Sequence, residues 1–73
     1  MATPAIHTVP ASGRWENKRA REGAALSRHE TEQEAVEAGR AQAMRDHAEH
    51  IIHKEDGRIG ERNSYGSDPR GRG

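Results

Sequence analysis

The chain has 73 residues, no cysteine, 12 acidic and 12 basic side chains, and only 30% hydrophobic residues. This length is enough for one domain with a small core, and the lack of cysteine excludes disulfides and thiolate chemistry. Because no apolar run reaches the ~18–20 residues of a membrane span and residues 1–10 do not resemble a signal peptide, we expect a cytoplasmic protein with no membrane partner.

The low hydrophobic content leaves two descriptions open, an ordered domain and a disordered chain. A mean hydropathy of −1.18 favours disorder. Zero net charge and the periodic clustering of the apolar residues favour order. We therefore expect a single domain over 1–73, with an ordered core at about 5–69 and flexible ends at 1–4 and 70–73.

The N-terminal part of the chain has the pattern of a β-hairpin. Residues 5–10 are rich in β-branched side chains, 11–13 form a turn signal, and 14–19 read RWENKR. In an extended strand Trp15 faces away from its two charged neighbours, so we expect it in the core. Residues 24–29 form a possible short third strand.

A helix is predicted to begin at Thr31, because Thr31-Glu32-Gln33-Glu34 has the form of a capping box. The helix should run to about Ala48. One helical arc carries small residues, which predicts a close approach to a sheet. A glycine inside a helix, such as Gly39, costs ~1 kcal/mol relative to alanine. A close approach of the helix to the sheet explains why a glycine is tolerated there. The arc consists of Ala35, Val36, Gly39 and Ala43, flanked by Met44.

The C-terminal part predicts a second hairpin. A strand over Glu49–Lys54 is followed by the turn Asp56-Gly57 and a returning strand from Arg58 to about Ser64. A two-residue turn and a three-residue turn with a glycine bulge both fit. They differ by one residue in register, so they leave open which isoleucine of the first strand shares a face with Ile59.

These elements predict an α+β fold, in which an antiparallel sheet packs on one α-helix. The sheet would contain the N-terminal hairpin, the possible short third strand and the C-terminal hairpin. The predicted order is β-β-(β)-α-β-β.

Three stretches of the sequence, HTVPASGRW, HETEQEAVEAGRAQA and HKEDGRIGERNSYGSDP, carry a family resemblance in their order and spacing. The chain resembles the small bacterial proteins grouped as domain of unknown function 2188, over about residues 6–69. The resemblance implies an α+β domain. It implies no activity.

Catalytic and metal-binding patterns are weak in this sequence. His47, His50 and His53 are spaced three apart, which could gather a metal on a continuous helix. The helix is expected to give way to a strand there, so we expect hydrogen-bonded or solvated histidines and no metal. No phosphate-binding glycine motif occurs, and no nucleophile is paired with an obvious base. We expect no enzyme, no catalytic residues and no cofactor.

The charges are segregated along the chain. Residues 14–28 are mainly basic and residues 30–49 mainly acidic. Basic strands beside an acidic helix would make one sheet face electropositive, and such a face could bind DNA or RNA. Zero net charge and the scarcity of aromatic residues weigh against this function. The nucleic-acid-binding residues in this alternative are Arg14, Lys18, Arg19, Arg21 and Arg28.

The polar tail around Tyr65 has two interpretations. In the structural one, Tyr65 folds over the edge of a thin core while its polar neighbours satisfy turn amides. In the functional one, the tail is a partner-binding loop. Its residues would be Asn63, Ser64, Tyr65 and Asp68.

A thin core and an unpaired sheet edge both favour association. At ~25 cal/mol per Å² of buried apolar area, nine large apolar residues and a few alanines barely offset the entropy of ordering the chain. The nine are Ile6, Val9, Trp15, Leu26, Val36, Met44, Ile51, Ile52 and Ile59. We therefore expect a homodimer at micromolar concentration and a non-enzymatic protein-interaction or self-associating module whose protein partner is unknown.

Overall fold

A computed structural model describes residues 3–66 of the chain. Its elements are β1 (Ile6–Ala11), β2 (Arg14–Arg19), β3 (Ala25–His29), α1 (Glu32–Asp46), β4 (Glu49–His53) and β5 (Ile59–Ser64). They form an α+β domain with one helix and a five-stranded sheet of order β3-β2-β1-β4-β5. The expected flexible ends, apart from residues 3–4, and the predicted loop residue Asp68 lie outside the described residues.

The prediction of an antiparallel sheet is wrong at its centre, where β1 and β4 are parallel. The other three strand pairs are antiparallel, so the sheet is mixed. The cause is the number of elements between the two strands. β1, β2 and β3 alternate in direction and α1 returns the chain, so β4 runs in the direction of β1. The predicted order of elements is confirmed, including the third strand.

The first hairpin closes through a two-residue turn. Ser12 and Gly13 have φ angles of 51° and 80°, the left-handed pair of values that matches the twist of the flanking strands. Trp15 lies opposite Pro10 on β1 and opposite His29 on β3. Only 8% of Trp15 is exposed, which confirms its predicted place in the core.

The helix begins where the capping box predicts. Thr31 has an extended backbone, and its Oγ1 accepts a hydrogen bond from the Glu34 amide at 3.2 Å. The helix ends at Asp46, two residues before the predicted end. It ends there because His47 adopts the left-handed conformation, with a φ of 54°, and the Ala48 amide then bonds back to the Ala43 carbonyl at 2.9 Å.

The helix lies close on the sheet at Gly39. A Cβ on Gly39 would come within 2.5–2.7 Å of three side-chain atoms, one each from Thr8, Asn17 and His50. A side chain cannot fit there, so the predicted close approach is confirmed. The helix buries Ala35, Gly39 and Ala43 against the sheet, while Val36 is half-buried and Met44 is exposed.

The core is small and contains a polar layer. Its buried apolar residues are Ile6, Trp15, Ala35, Ala43, Ala48, Ile51 and Ile52. Thr8, Asn17 and His50 are equally inaccessible. Leu26, Met44 and Ile59 are exposed, so three of the nine large apolar residues contribute little to the core.

The second hairpin has the three-residue turn of the two alternatives. The Lys54 amide donates to the Arg58 carbonyl at 2.7 Å, and the Gly57 amide donates to the Lys54 carbonyl at 2.8 Å. Gly57 has a φ of 90°, and the register shifts by one residue at Gly60. Ile59 therefore lies opposite His53, on the same face of the sheet as Ile51.

Candidate interaction surface

A buried hydrogen-bond chain links three strands beneath the helix. Asn17 Nδ2 donates to the Ala35 carbonyl at 2.9 Å, which orients the amide and leaves Asn17 Oδ1 as an acceptor. Thr8 donates its hydroxyl proton to that oxygen at 2.5 Å. The Thr8 oxygen lies 2.7 Å from His50 Nε2. Because the only hydroxyl proton of Thr8 is already used, His50 must donate from Nε2.

Burial holds His50 in its neutral form. The ring is 1% exposed, and burial lowers the pKa of His50 below its ordinary value; the charge of Arg40 lowers the pKa further and that of Glu61 opposes the shift. The resulting tautomer carries its proton on Nε2. This group stabilises the close contact of helix and sheet and has no open side for a ligand.

The chain of polar groups continues to the edge of the sheet at β3. Asn17 Nδ2 also donates to Ser27 Oγ at 3.2 Å, and Ser27 Oγ lies 2.9 Å from His29 Nε2. A serine beside a histidine is one requirement of nucleophilic catalysis. Within residues 3–66 no carboxylate hydrogen-bonds the His29 ring, so the geometry lacks the group that orients the base in a triad.

The opposite face of the sheet, which we call the open face, is not covered by a helix in the part of the chain that the structure describes. Its side chains include His7, Ile51 and His53, as the strand register and the alternation of side chains show. His7 Nδ1 lies 2.9 Å from His53 Nε2, and the two ring centroids are 5.1 Å apart with their planes inclined at 29°. Burial and the neighbouring His53 lower the pKa of His7 below its ordinary value.

The three histidines that the sequence places in series do not converge. His47 ends the helix in solvent, His50 lies under the helix, and His53 lies on the open face. No group of three or more His, Asp or Glu residues in the described part of the chain is arranged to hold a metal ion.

The five basic residues of the nucleic-acid alternative do not share one surface. Arg14, Lys18 and Arg28 lie on the open face, and each forms an ion pair there. Arg14 pairs with Glu30 at 3.5 Å. Lys18 and Arg28 both pair with Glu16, at 3.8 and 2.9 Å respectively. These pairs are partly solvated, so they contribute little stability. They do offset the positive charge of the face.

Arg19 and Arg21 lie apart from that group. Arg19 points to the helix side and donates to Asp46 Oδ2 at 3.0 Å. This bond holds the pKa of Asp46 below its usual value. Arg21 occupies the turn after β2, with a φ of 75°.

The strand β5 is attached to the molecule differently from the others. It pairs with β4 along one edge, and among the described elements it contacts β4 alone. None of its six residues is buried. The helix contacts the other four strands but not β5, so nothing within residues 3–66 covers the two faces and the outer edge of this strand.

The direction of the free backbone groups on β5 follows from one hydrogen bond. The Tyr65 amide, directly after β5, donates to the Ala48 carbonyl at 3.1 Å. Backbone groups alternate between the two sides of a strand. Asn63 and Glu61 therefore direct theirs to β4, opposite His50 and Ile52, whereas Arg62 and Ser64 direct theirs outward, away from β4.

Two of the four predicted partner-binding residues fall on this edge. Asn63 and Ser64 end β5, and Asn63 Nδ2 donates to Glu61 Oε2 at 3.3 Å on the surface. Tyr65 is half-buried and packs against Ile6, Ala43 and Ala48, as its structural interpretation predicts. It anchors the end of the strand. The segment is a strand edge and not a loop.

A groove of about 420 Å³ lies at the other end of the sheet. It is open to solvent and lined by the β1–β2 turn, Trp15 and Glu55. No helix within residues 3–66 is long and apolar enough to cross a membrane.

The buried polar chain is the main feature that sequence reasoning missed. Thr8 follows Ile6 by two residues and Asn17 follows Trp15 by two, so the alternation of a strand places both on the buried face. That signal was available. Their hydrogen-bond partners come from distant parts of the chain, and no local pattern indicates them.

Comparison with known proteins gives one finding. No curated protein and no solved structure matches the chain. The family described as "Uncharacterized protein conserved in bacteria (DUF2188)" matches residues 6–65, a range that spans all six elements and the Tyr65 anchor. The chain is therefore a member of the DUF2188 family of uncharacterised bacterial proteins.

Proposed function

We propose that the chain is a non-enzymatic protein-interaction module that binds an extended protein segment along the free edge of β5. The observation that carries the proposal is the attachment of this strand. β5 has six residues, its backbone groups at Arg62 and Ser64 point away from β4, and no other element within residues 3–66 contacts its outer side. A free edge of this kind is a template for another strand.

The β5 edge also has features that limit indiscriminate association. The bulge at Gly60 interrupts its regular part, and Glu61 and Arg62 place charges on the strand. Such features are typical of edges that exclude arbitrary partners. The regular part, residues 61–65, is thus short and carries one negative and one positive charge, as a selective binding site should.

A photo-crosslinking amino acid at Ser64 tests this proposal in bacterial cells. We expect adducts with protein at Ser64 and far fewer at Met44, an exposed position on the helix. An Arg62→Pro change should remove the adducts, because proline deletes an outward amide that the fold does not use. Equal adducts at both positions would contradict the proposal.

Two outcomes would favour other functions. Hydrolysis of an ester substrate that Ser27→Ala abolishes would show that the chain is an enzyme. Nucleic-acid binding through Arg14, Lys18 and Arg28 stays a prediction, and a gel shift that weakens with salt would support it.

A further inference from the structure

The free edge of β5 is suited to pairing with a copy of itself. In an antiparallel pair, residues with outward backbone groups can lie opposite only other residues with outward groups. On β5 these are Arg62 and Ser64. A two-fold axis must therefore pass through a residue, and the axis position defines the register.

The rule allows four axis positions along β5, at Glu61, Arg62, Asn63 and Ser64. An axis through Ser64 sets Arg62 opposite Gly66 of the second copy, beyond the end of β5, and so overlaps the two strands least. An axis through Glu61 sets Glu61 opposite its own copy, and an axis through Arg62 sets Arg62 opposite its own copy. Like charges directly opposite each other destabilise a strand pair. Both registers also use Gly60, where the bulge breaks the alternation.

An axis through Asn63 avoids both problems. It places Arg62 opposite Ser64 of the second copy, and Glu61 opposite Tyr65 of the second copy. Arg62 and Ser64 then exchange both backbone hydrogen bonds, and the symmetry repeats them. The outward amide and carbonyl groups of Arg62 and Ser64 are then all hydrogen-bonded in both copies, and no like charges lie opposite each other.

This register also brings opposite charges together on the open face. Glu49 lies opposite Ser64 within one copy, so Arg62 of the other copy reaches Glu49 across the short serine. Strands are about 4.8 Å apart, and the long side chains of arginine and glutamate can span two such steps. Within residues 3–66 neither Arg62 nor Glu49 has another ion-pair partner.

We propose that the strand bound at the β5 edge is β5 of a second copy, in an antiparallel pair centred on Asn63. The pair joins two five-stranded sheets into one continuous sheet. This inference rests on the proposed function of the β5 edge. A short interface of this kind belongs to the weak end of specific contacts, so we expect a dissociation constant in the micromolar range.

Single-cysteine variants test the register, because the natural chain has no cysteine. At the axis the two Asn63 Cα atoms are a non-hydrogen-bonded pair about 4.5 Å apart, which a disulfide can bridge. In a glutathione buffer, Asn63→Cys should form a disulfide dimer at least about tenfold faster than Met44→Cys, whose thiols meet only by collision. Arg62→Cys alone should form no more dimer than Met44→Cys.

A mixed experiment provides the matched control. Arg62→Cys and Ser64→Cys should form a mixed disulfide when combined, because these positions lie opposite each other. Rapid dimer formation by Arg62→Cys alone would indicate the Arg62-centred register and overturn the proposal. If no variant exceeds Met44→Cys, the second copy is not the partner. The proposed function would then stand only if adducts at Ser64 contain a different protein.

A charge exchange measures the predicted ion pairs. Arg62→Glu should weaken the dimer roughly two- to tenfold, the effect of two exposed ion pairs. Adding Glu49→Arg should restore the wild-type dissociation constant in sedimentation equilibrium. A monomer mass near 8.1 kDa at the highest soluble concentration of the wild type would overturn the proposal.

Discussion

The two edges of the sheet are held in different ways. β3 lies beneath the helix, its side chains alternate between half-buried and exposed, and Ser27 joins the buried hydrogen-bond chain. β5 contacts β4 alone and buries no side chain. β3 therefore belongs to the core, whereas β5 is attached by backbone hydrogen bonds and by the Tyr65 anchor.

This difference separates stability from association. Side chains on the β3 side of the molecule should control the free energy of unfolding. Side chains on β5 should change it little and should act on binding instead. Pairs of chemically similar residues, one on each side, test the comparison at protein concentrations low enough to keep the chain monomeric.

The largest contrast is expected between two large apolar residues. Trp15→Ala removes a buried side chain opposite β3 and should lower the free energy of unfolding by about 3–5 kcal/mol, enough to unfold much of so small a domain. Ile59→Ala on β5, where the side chain is 51% exposed, should cost less than about 1 kcal/mol. Urea denaturation followed by circular dichroism measures both, and equal losses would remove the distinction between the edges.

Two asparagines give the second contrast. Asn17→Ala leaves the Ala35 carbonyl and the Thr8 hydroxyl without their buried partner, which should cost about 1–3 kcal/mol. Asn63→Ala removes only a surface hydrogen bond to Glu61 and should cost about 0.5 kcal/mol or less. The same denaturation measurement applies, and a loss at Asn63 as large as at Asn17 would show that β5 is part of the core.

Acid should destabilise the folded protein through protonation of His50, which lies in the buried hydrogen-bond chain. The folded protein lowers the pKa of His50, so the unfolded chain binds the proton more readily. The contribution of His50 to the free energy of unfolding is then constant above neutral pH. It falls as the pH drops below about 6.5, the ordinary pKa of histidine. His7, whose pKa is also lowered, acts in the same direction.

Glu61 on β5 moderates this acid effect, because its charge raises the pKa of His50. Glu61→Gln should therefore make the loss of stability between pH 7 and 5 larger than in the wild type. His50→Gln should make it smaller. Thermal melts across this range measure the effect, and a wild-type stability that rises toward pH 5 would contradict the neutral assignment of His50.

The smallest contrast is expected between two serines on the opposite edges. Ser27→Ala removes an acceptor of Asn17 and should cost about 1 kcal/mol. Ser64→Ala, exposed at the end of β5, should lie within about 0.5 kcal/mol of the wild type. Chemical denaturation resolves a difference of this size. A larger loss of stability for Ser64→Ala than for Ser27→Ala would show that β5 is the more strongly held edge.

The parts of the fold that the sequence predicts are those set by local chemistry. The capping box fixes the start of the helix at Thr31, and glycines with positive φ close both hairpins, at Gly13 and Gly57. The parallel pair of β1 and β4 depends on the direction of every element between them. Once the third strand is accepted, β4 must be parallel to its neighbour at either free edge of the first three strands.

The candidate site was only partly predictable for a similar reason. The tail residues Asn63, Ser64 and Tyr65 stand out by composition, and two of them do lie on the exposed edge. Whether that edge is covered depends on the position of the helix over the other four strands. The extra residue at Gly60 sets which amides of residues 61–65 face outward, and neither of the two turns that the sequence allows at Asp56-Gly57 predicts it.

The parallel pairing of β1 and β4 has a consequence for how the chain folds. Each hairpin joins neighbouring residues, so both can form within microseconds. The Ile6–Thr8 segment meets His50–Ile52 only after more than half of the chain has closed into a loop, and such distant contacts slow folding. Joining the two hairpins should therefore be the rate-limiting step, and β5 gains its permanent place only when that step is complete.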